Sequence, residues 1–195
     1  MQKKFSKIIS SAIIVETENV DTDQIIPARF LKTTERSGLG KYLFYNWRYD
    51  EGGKQRQNIF NEKETPNKKV LIAENNFGSG SSREHAVWAL MDFGFKAIIS
   101  SSFGDIFYNN FLKNGLLCIQ IKETEFKKLM QIIKQNSELQ LEINLEKQTI
   151  EIKNKNLVFN FEIDPFRKSC LLLGVDELGY ILAHSDKITE YEKRI

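Results

Sequence analysis

Three short apolar runs decide most of what this chain can fold into. Residues 70–73 (Val-Leu-Ile-Ala), 97–100 (Ala-Ile-Ile-Ser) and 116–121 (Leu-Leu-Cys-Ile-Gln-Ile) are separated by residues 82–93 and 105–112, whose apolar positions recur at helical spacing. Runs of this length are too short for core helices and too continuous for strands with one wet face, so they read as strands buried on both sides. Strands alternating with helices pair in parallel, because a parallel pair needs a long crossover, and that crossover is right-handed. The expected fold class is α/β, with a partly parallel sheet and flanking helices.

The remaining sequence fills in around this unit. Residues 8–15 read as one strand, 16–22 as a polar turn and the aromatic residues 42–49 as a short helix, while the Gly-, Asn- and Lys-rich residues 50–68 read as a surface connection. Residues 124–135 have the pattern of an amphipathic helix, and 139–163 hold two or three strands. Asp164 before Pro165 marks a helix start, since proline's missing N–H is not needed at the first helical position. At 195 residues, 1–195 reads as one domain with C-terminal helices from about 165.

Composition excludes several functions. Lys plus Arg number 28 against 26 Asp plus Glu, a net charge of +2 spread along the chain, which leaves no footprint for a nucleic-acid backbone. Lys3, Lys4 and Lys7 before residues 8–15 imitate a signal peptide. However, Ser10-Ser11 interrupts the run and no small-x-small site precedes Glu16. No other run approaches the roughly 18 apolar residues of a membrane span. Cys118 and Cys170 lie in separate apolar runs with no CxxC pair, so the chain cannot supply the thiolates of a zinc or iron–sulfur site by itself. They read as buried free thiols in a reducing, cytoplasmic setting.

Chemistry concentrates in two polar segments. Asn75-Asn-Phe-Gly-Ser-Gly-Ser-Ser-Arg-Glu-His85 runs from a strand into a helix, where free backbone N–H groups and the helix dipole favour an anion, and Arg83 adds a fork suited to a carboxylate. Ser81 and Glu84 also have capping-box spacing, so the spacing alone leaves a cap and a site both open. The run Gly78-Ser-Gly-Ser-Ser-Arg83 puts arginine where a dinucleotide fingerprint needs its third glycine, and no acid closes residues 97–100. No G-x-S-x-G elbow is present.

The second segment is Asn19-Val-Asp-Thr-Asp-Gln-Ile-Ile-Pro27, followed by Arg29, Lys32 and Arg36. Asp21 and Asp23 offer too few oxygens for a hard cation and read as turn formers. Three of the seven arginines (Arg29, Arg36 and Arg83) fall in these two segments, which places forked cations where a planar anion could be held.

The segment Val20-Asp-Thr-Asp-Gln-Ile-Ile-Pro-Ala-Arg-Phe-Leu-Lys32, the stretch Phe44-Tyr-Asn-Trp-Arg48, the run Phe77-Gly-Ser-Gly-Ser-Ser-Arg-Glu-His-Ala86 and the tail from Cys170 to Glu192 resemble the small subunits of 3-isopropylmalate dehydratases, in the aconitase superfamily. The likeness spans almost the whole chain, and the Gly-Ser-Ser-Arg-Glu-His run is specific to the superfamily. It implies a swivelling β/β/α domain made as a separate chain. It also implies a large-subunit partner that carries a [4Fe–4S] cluster, so that this chain binds no metal or cofactor. The implied reaction interconverts 2-isopropylmalate and 3-isopropylmalate, small dicarboxylates of leucine biosynthesis, by removing and re-adding water.

By the same resemblance Ser81 is the base, Asp23 orients active-site groups, and Ser82 and Arg83 hold a substrate carboxylate. Phe30, Leu31, Lys32 and Thr33 correspond to the loop that reads the substrate's side group. Arg29 and Arg36 are both candidates for a further carboxylate contact, since neither aligns unambiguously. His85 and His184 read as packing or hydrogen-bonding histidines. Two other functions fit the same residues: a homoaconitase or citraconate-type hydratase small subunit, and a non-enzymatic anion-binding module.

Overall fold

The computed structural model describes residues 4–32 and 34–193. In chain order the elements are β1 (Lys7–Ser10), β2 (Ala12–Val15), α1 (Thr22–Ile25), α2 (Tyr45–Arg48), β3 (Val70–Ala73), α3 (Glu84–Phe93), β4 (Ala97–Ser100), α4 (Asp105–Lys113), β5 (Leu117–Gln120) and α5 (Glu123–Gln135), followed by β6 (Leu141–Asn144), β7 (Thr149–Ile152), β8 (Leu157–Asn160), α6 (Pro165–Leu173), α7 (Glu177–Leu182) and α8 (Ser185–Glu192). The three apolar runs form β3, β4 and β5. They pair in parallel in that order, with β2 added in parallel beside β3. A second, antiparallel sheet has the order β1-β6-β7-β8.

Period-two alternation sorts the parallel strands between two cores. Val70, Ile72, Ala97, Ile99, Leu117 and Ile119 pack with Phe126 and Leu129 of α5 and with Ile143, Ile150 and Phe159 of the antiparallel sheet. The intervening Leu71, Ala73, Ile98 and Cys118 pack with Ala86 and Leu90 of α3 and Phe107 and Phe111 of α4. The parallel sheet is thus the middle layer of a β/β/α stack, buried on both faces as its continuous apolar strands require.

The single strand expected over residues 8–15 is two strands in different sheets. Lys7–Ser10 pairs with β6, and Ala12–Val15 pairs with β3. The chain changes sheets at Ser11. There the Ser10 hydroxyl accepts the Lys69 N–H at 2.7 Å and donates to the Ser11 carbonyl at 2.7 Å, replacing the ladder bonds lost at the break. Apolar residues lie on both sides of the switch, so only the two serines mark it in the sequence.

The long β2–β3 crossover is ordered by a buried cation. Arg48 donates to the Leu43 carbonyl at 3.1 Å and to Asn61 Oδ1 at 2.9 Å, and its guanidinium lies 5.4 Å from the Phe93 ring centroid. This pins α2 and residues 59–61 onto the end of α3. Farther along, the Asp164 carboxylate accepts the Arg167 N–H at 2.9 Å, so α6 begins with the cap that the Asp-Pro pair announces.

Glu142 in β6 lies within 2.7 Å of both Lys153 and Lys7. Hydrogen bonds from Lys153, then Lys7, hold its carboxyl below the usual carboxylate range. An acid with a lowered folded-state pKa adds stability that is present above its unfolded pKa and lost as pH falls through the folded value. Glu142→Gln should therefore lower the thermal midpoint near neutrality, and the gap to wild type should close as pH falls below about 4. Melting curves at several pH values check this; a gap that stays constant down to about pH 3 contradicts it.

Candidate active site at the carboxyl end of the parallel sheet

Loops that leave the carboxyl ends of parallel strands are where α/β folds place their ligands. Here the loop after β2 and the loop after β3 are joined by backbone hydrogen bonds. Gly78 N–H donates to the Val20 carbonyl at 2.7 Å, Thr22 N–H donates to the Ser79 carbonyl at 3.0 Å, and Asn19 N–H donates to the Asn75 carbonyl at 3.0 Å. The Thr22 hydroxyl adds a bond to the Ser81 carbonyl at 3.1 Å. Asp21 caps α1 in a reciprocal capping box with Gln24, so this aspartate is a turn and cap former, as its sequence context suggests.

A third strand's loop supports the pair from below. Phe77 bridges Phe103, its N–H donates to the Ser102 carbonyl at 3.3 Å, and Gly104 N–H donates to the Phe77 carbonyl at 2.9 Å. The approach is so close that a Cβ on Gly104 would lie 2.6 Å from the Gly78 carbonyl oxygen. A Cβ on Gly78 would lie 2.2 Å from the Phe107 ring, and Gly78 also holds φ +75°. Glycine is required at both positions by contact, and at Gly78 by backbone conformation as well.

The two polar segments meet through side chains. Arg83 Nη1 donates to Asp23 Oδ1 in an ion pair whose members are 26% and 52% exposed. Ser81 and Ser82 are exposed beside it. The capping box that the spacing of Ser81 and Glu84 left open is not formed: the N-cap of α3 is Arg83, without a side-chain cap bond. The Ser81 carbonyl instead accepts Arg83 N–H at 2.8 Å and the Thr22 hydroxyl. The α3 N-terminus, with Glu84 in its first turn, is thus left without a capping acceptor from Arg83, and the Ser81 hydroxyl is not consumed as a cap.

The remaining candidates divide. Phe30 stacks on Tyr42 with centroids 4.0 Å apart, Leu31 is half-buried against the α3 core and Lys32 is exposed; Thr33 lies outside the described residues. Arg29 donates to Asn46 Oδ1 at 2.7 Å and lies over the Phe30 and Tyr45 rings, in a cleft of about 520 Å³ shared with Arg56. Arg36 lies over the Trp88 ring at 5.3 Å and lines another cleft with Lys96 and Leu116, at the amino-terminal end of the strands. Neither cleft is lined by Asp23, Ser81, Ser82 or Arg83.

His85 lies 4.8 Å from the Trp88 ring, and His184 packs on Tyr180 with Nδ1 2.9 Å from its carbonyl. Arg48 and the glycine pair 78/104 are the structural supports of the site that sequence reading did not single out as such. Cys118 is wholly buried in β5 and Cys170 is buried in α6; burial raises the pKa of both thiols. Among the described residues no three His, Cys, Asp or Glu side chains group to hold a metal ion, so these residues do not fit an iron–sulfur cluster. No helix among them is long and apolar enough to cross a membrane.

This fold and loop define a class before they define a member: residues 2–124 match the family model described as the aconitase C-terminal domain. The 3-isopropylmalate dehydratase small subunit of Pelagibacter ubique is 45% identical over 99% of this chain and 94% of its own length, and that of Afipia carboxidovorans is 47% identical over 98% and 96%. A crystal structure of 3-isopropylmalate dehydratase from Methanocaldococcus jannaschii superposes with a TM-score of 0.67 at 31% identity, covering 96% of this chain and 99% of that one. The chain belongs to the family of 3-isopropylmalate dehydratase small subunits.

The joined loops give a direct stability test. Gly78→Ala forces a methyl group into the Phe107 ring and an unfavourable φ, which together should cost roughly 2–4 kcal/mol. The urea midpoint measures it. A loss under about 1 kcal/mol, within the ordinary range of a tolerated substitution, would mean that the loop relaxes away from α4.

Proposed function

We propose that this chain, acting as one swivel domain, is the small subunit of a cytoplasmic 3-isopropylmalate dehydratase. With a separate large subunit it interconverts 2-isopropylmalate and 3-isopropylmalate by dehydration and rehydration, a hydro-lyase step of leucine biosynthesis. The carrying observation is the Asp23–Arg83 ion pair at the mouth of the joined loops, with Ser81 and Ser82 exposed beside it. Neither nucleic acid nor membrane enters this reading.

The substrate is a dicarboxylate whose reacting C–H is weakly acidic, so the site needs a strong base and fixed donors for developing negative charge. Ser81 Oγ is the base and accepts the carbon-bound proton. The Arg83 fork has one arm on Asp23, which orients it, and its other N–H groups hold a substrate carboxylate together with Ser82. The uncapped first turn of α3 adds the positive end of a ten-residue helix to the same place. The departing hydroxyl calls for a Lewis acid; among the described residues no three His, Cys, Asp or Glu side chains group to hold one, and this reading assigns the [4Fe–4S] cluster to the large subunit.

Ser81→Ala separates chemistry from structure. Because Ser81 does not cap α3, the substitution should change stability by less than about 0.5 kcal/mol. In the complex with the large subunit, kcat should fall by roughly 10² to 10⁴ as the base is lost. A folded complex that keeps more than about a tenth of wild-type kcat removes Ser81 from the base role.

The segment anchored by the Phe30–Tyr42 stack should set substrate choice more than rate. Exchanging residues 30–33 for the corresponding loop of a homoaconitase should move the ratio of kcat/KM between the two substrates, since one misplaced methylene or unpaired polar group is worth about 1–3 kcal/mol. Competition kinetics on the assembled enzyme read the ratio. A change within about twofold assigns the loop a structural role only.

A further inference from the structure

The C-terminal helices display apolar side chains where a surface helix should hide them. Of the nine large apolar side chains exposed among the described residues, six lie within residues 166–191. Three are on α7: Leu178 at 63% exposure, Ile181 at 52% and Leu182 at 62%. Their i, i+3, i+4 spacing puts them on one helix face. No α7 residue is buried in the core. Leu173 of α6 and Tyr191 of α8 are exposed as well.

This helix is held in place, not frayed. The Asp176 carboxylate accepts the Gly179 N–H at 2.7 Å, and Glu177 pairs with Arg167 of α6. Phe166 meets the Tyr180 ring edge-on at 5.0 Å, and the His184 ring packs on Tyr180 as well, at 4.5 Å. Polar and aromatic residues fix one side of α7 to α6 while the leucines and isoleucine face water, the reverse of an ordinary amphipathic surface helix. A contiguous apolar patch of this kind on a soluble domain marks an interaction surface.

We infer that the outward face of α7, formed by Leu178, Ile181 and Leu182, is a docking surface for the large subunit, an inference that rests on the small-subunit reading above. Two observations choose this occupant. The aconitase C-terminal domain model matches residues 2–124, whereas the small subunits of Pelagibacter ubique and Afipia carboxidovorans match 99% and 98% of the chain, α7 included. A domain continuous with the rest of its enzyme needs no separate grip, but a free-standing subunit does. Charge supplies the second. Residues 176–195 carry five acidic against three basic side chains, a net −2 in a chain of net +2. A second copy would bring like charge against like, so the surface fits a partner with an apolar patch fringed by Lys or Arg.

The test uses the full chain carrying Leu178→Glu together with Ile181→Glu, with Val158→Glu, exposed on β8, as the control. Binding to the cluster-loaded large subunit is measured by anaerobic calorimetry, folding by circular dichroism, and self-association by sedimentation. The double variant should fold and bind at least 100-fold more weakly, with the control within twofold of wild type. If the glutamates unfold α7, the pair Leu178→Gln and Ile181→Gln is read the same way. A folded double variant that binds within threefold of wild type overturns the docking surface and leaves the small-subunit reading standing. A wild-type chain that forms no complex and gives no turnover with the large subunit overturns both. A wild-type homodimer that the double variant abolishes, with large-subunit affinity unchanged, overturns it in favour of a second copy.

Discussion

The short hydrogen bond from Gly78 N–H to the Val20 carbonyl, 2.7 Å long, fixes what the rest of the site depends on. β2 and β3 are already parallel neighbours, so their loops leave the sheet side by side, and this bond and its companions from Thr22 and Asn19 join the two backbones into one surface. That surface cannot rise away from the sheet, because Gly104 bonds to Phe77 and presses to within a methyl group of Gly78 from the other side. Two glycines make the approach sterically possible. With the backbone set, Asp23 and Arg83 fall within ion-pair distance although 60 residues separate them in the chain.

The ion pair itself is a weak stabiliser. Both side chains are partly exposed, and exposed pairs are worth about 0–1 kcal/mol. Its meaning is geometric. The carboxylate engages one nitrogen of a planar fork and so fixes the plane in which the remaining N–H groups can meet another anion. A lysine at the same place would be a point charge on a mobile stem and would gain no such orientation from Asp23. The residue type at 83 therefore follows from the partner at 23, and the partner's placement follows from the joined backbones.

The sequence made the parallel unit legible because buried strands between helices have almost no alternative reading: β3 and β4 fall on residues 70–73 and 97–100. The layer beyond it was harder to read. Residues 8–15 carry one apolar character throughout, and whether they form one strand or two depends on Ser10 capturing Lys69 N–H, a contact 59 residues away. The loop chemistry was legible as residue types but not as contacts. Asp23, Ser81, Ser82 and Arg83 come together, whereas Arg29 and Arg36, chosen on the same argument about forked cations, settle on aromatic rings in other clefts. An arginine in a sequence carries no sign of whether its plane will meet a carboxylate or a ring. Of the two alternatives left open at Ser81 and Glu84 the cap is not the one formed, for a related reason: spacing permits a capping box, but the Ser81 carbonyl is engaged by the Thr22 hydroxyl and the helix starts at Arg83.

Exposure of the serines connects the site to the tail. The proton abstraction proposed for Ser81 needs a water-poor surrounding in which fixed charges act at full strength, yet Ser81, Ser82 and Asp23 stand open on the rim of the sheet. The proposed reaction therefore requires another surface to close over them. If that closing surface also supplied all of the affinity between subunits, the assembled enzyme would be held shut and substrate could enter only by dissociation of the complex. In the proposed docking the grip is placed elsewhere, on a helix that contributes nothing to the core and is held to α6 by the Arg167–Glu177 pair and the Phe166–Tyr180 contact, which avoids this constraint. With the inferred docking through α7, the subunits remain associated while the proposed serine-bearing rim opens and closes over substrate, which is the gating that lids and hinged domains perform in other enzymes.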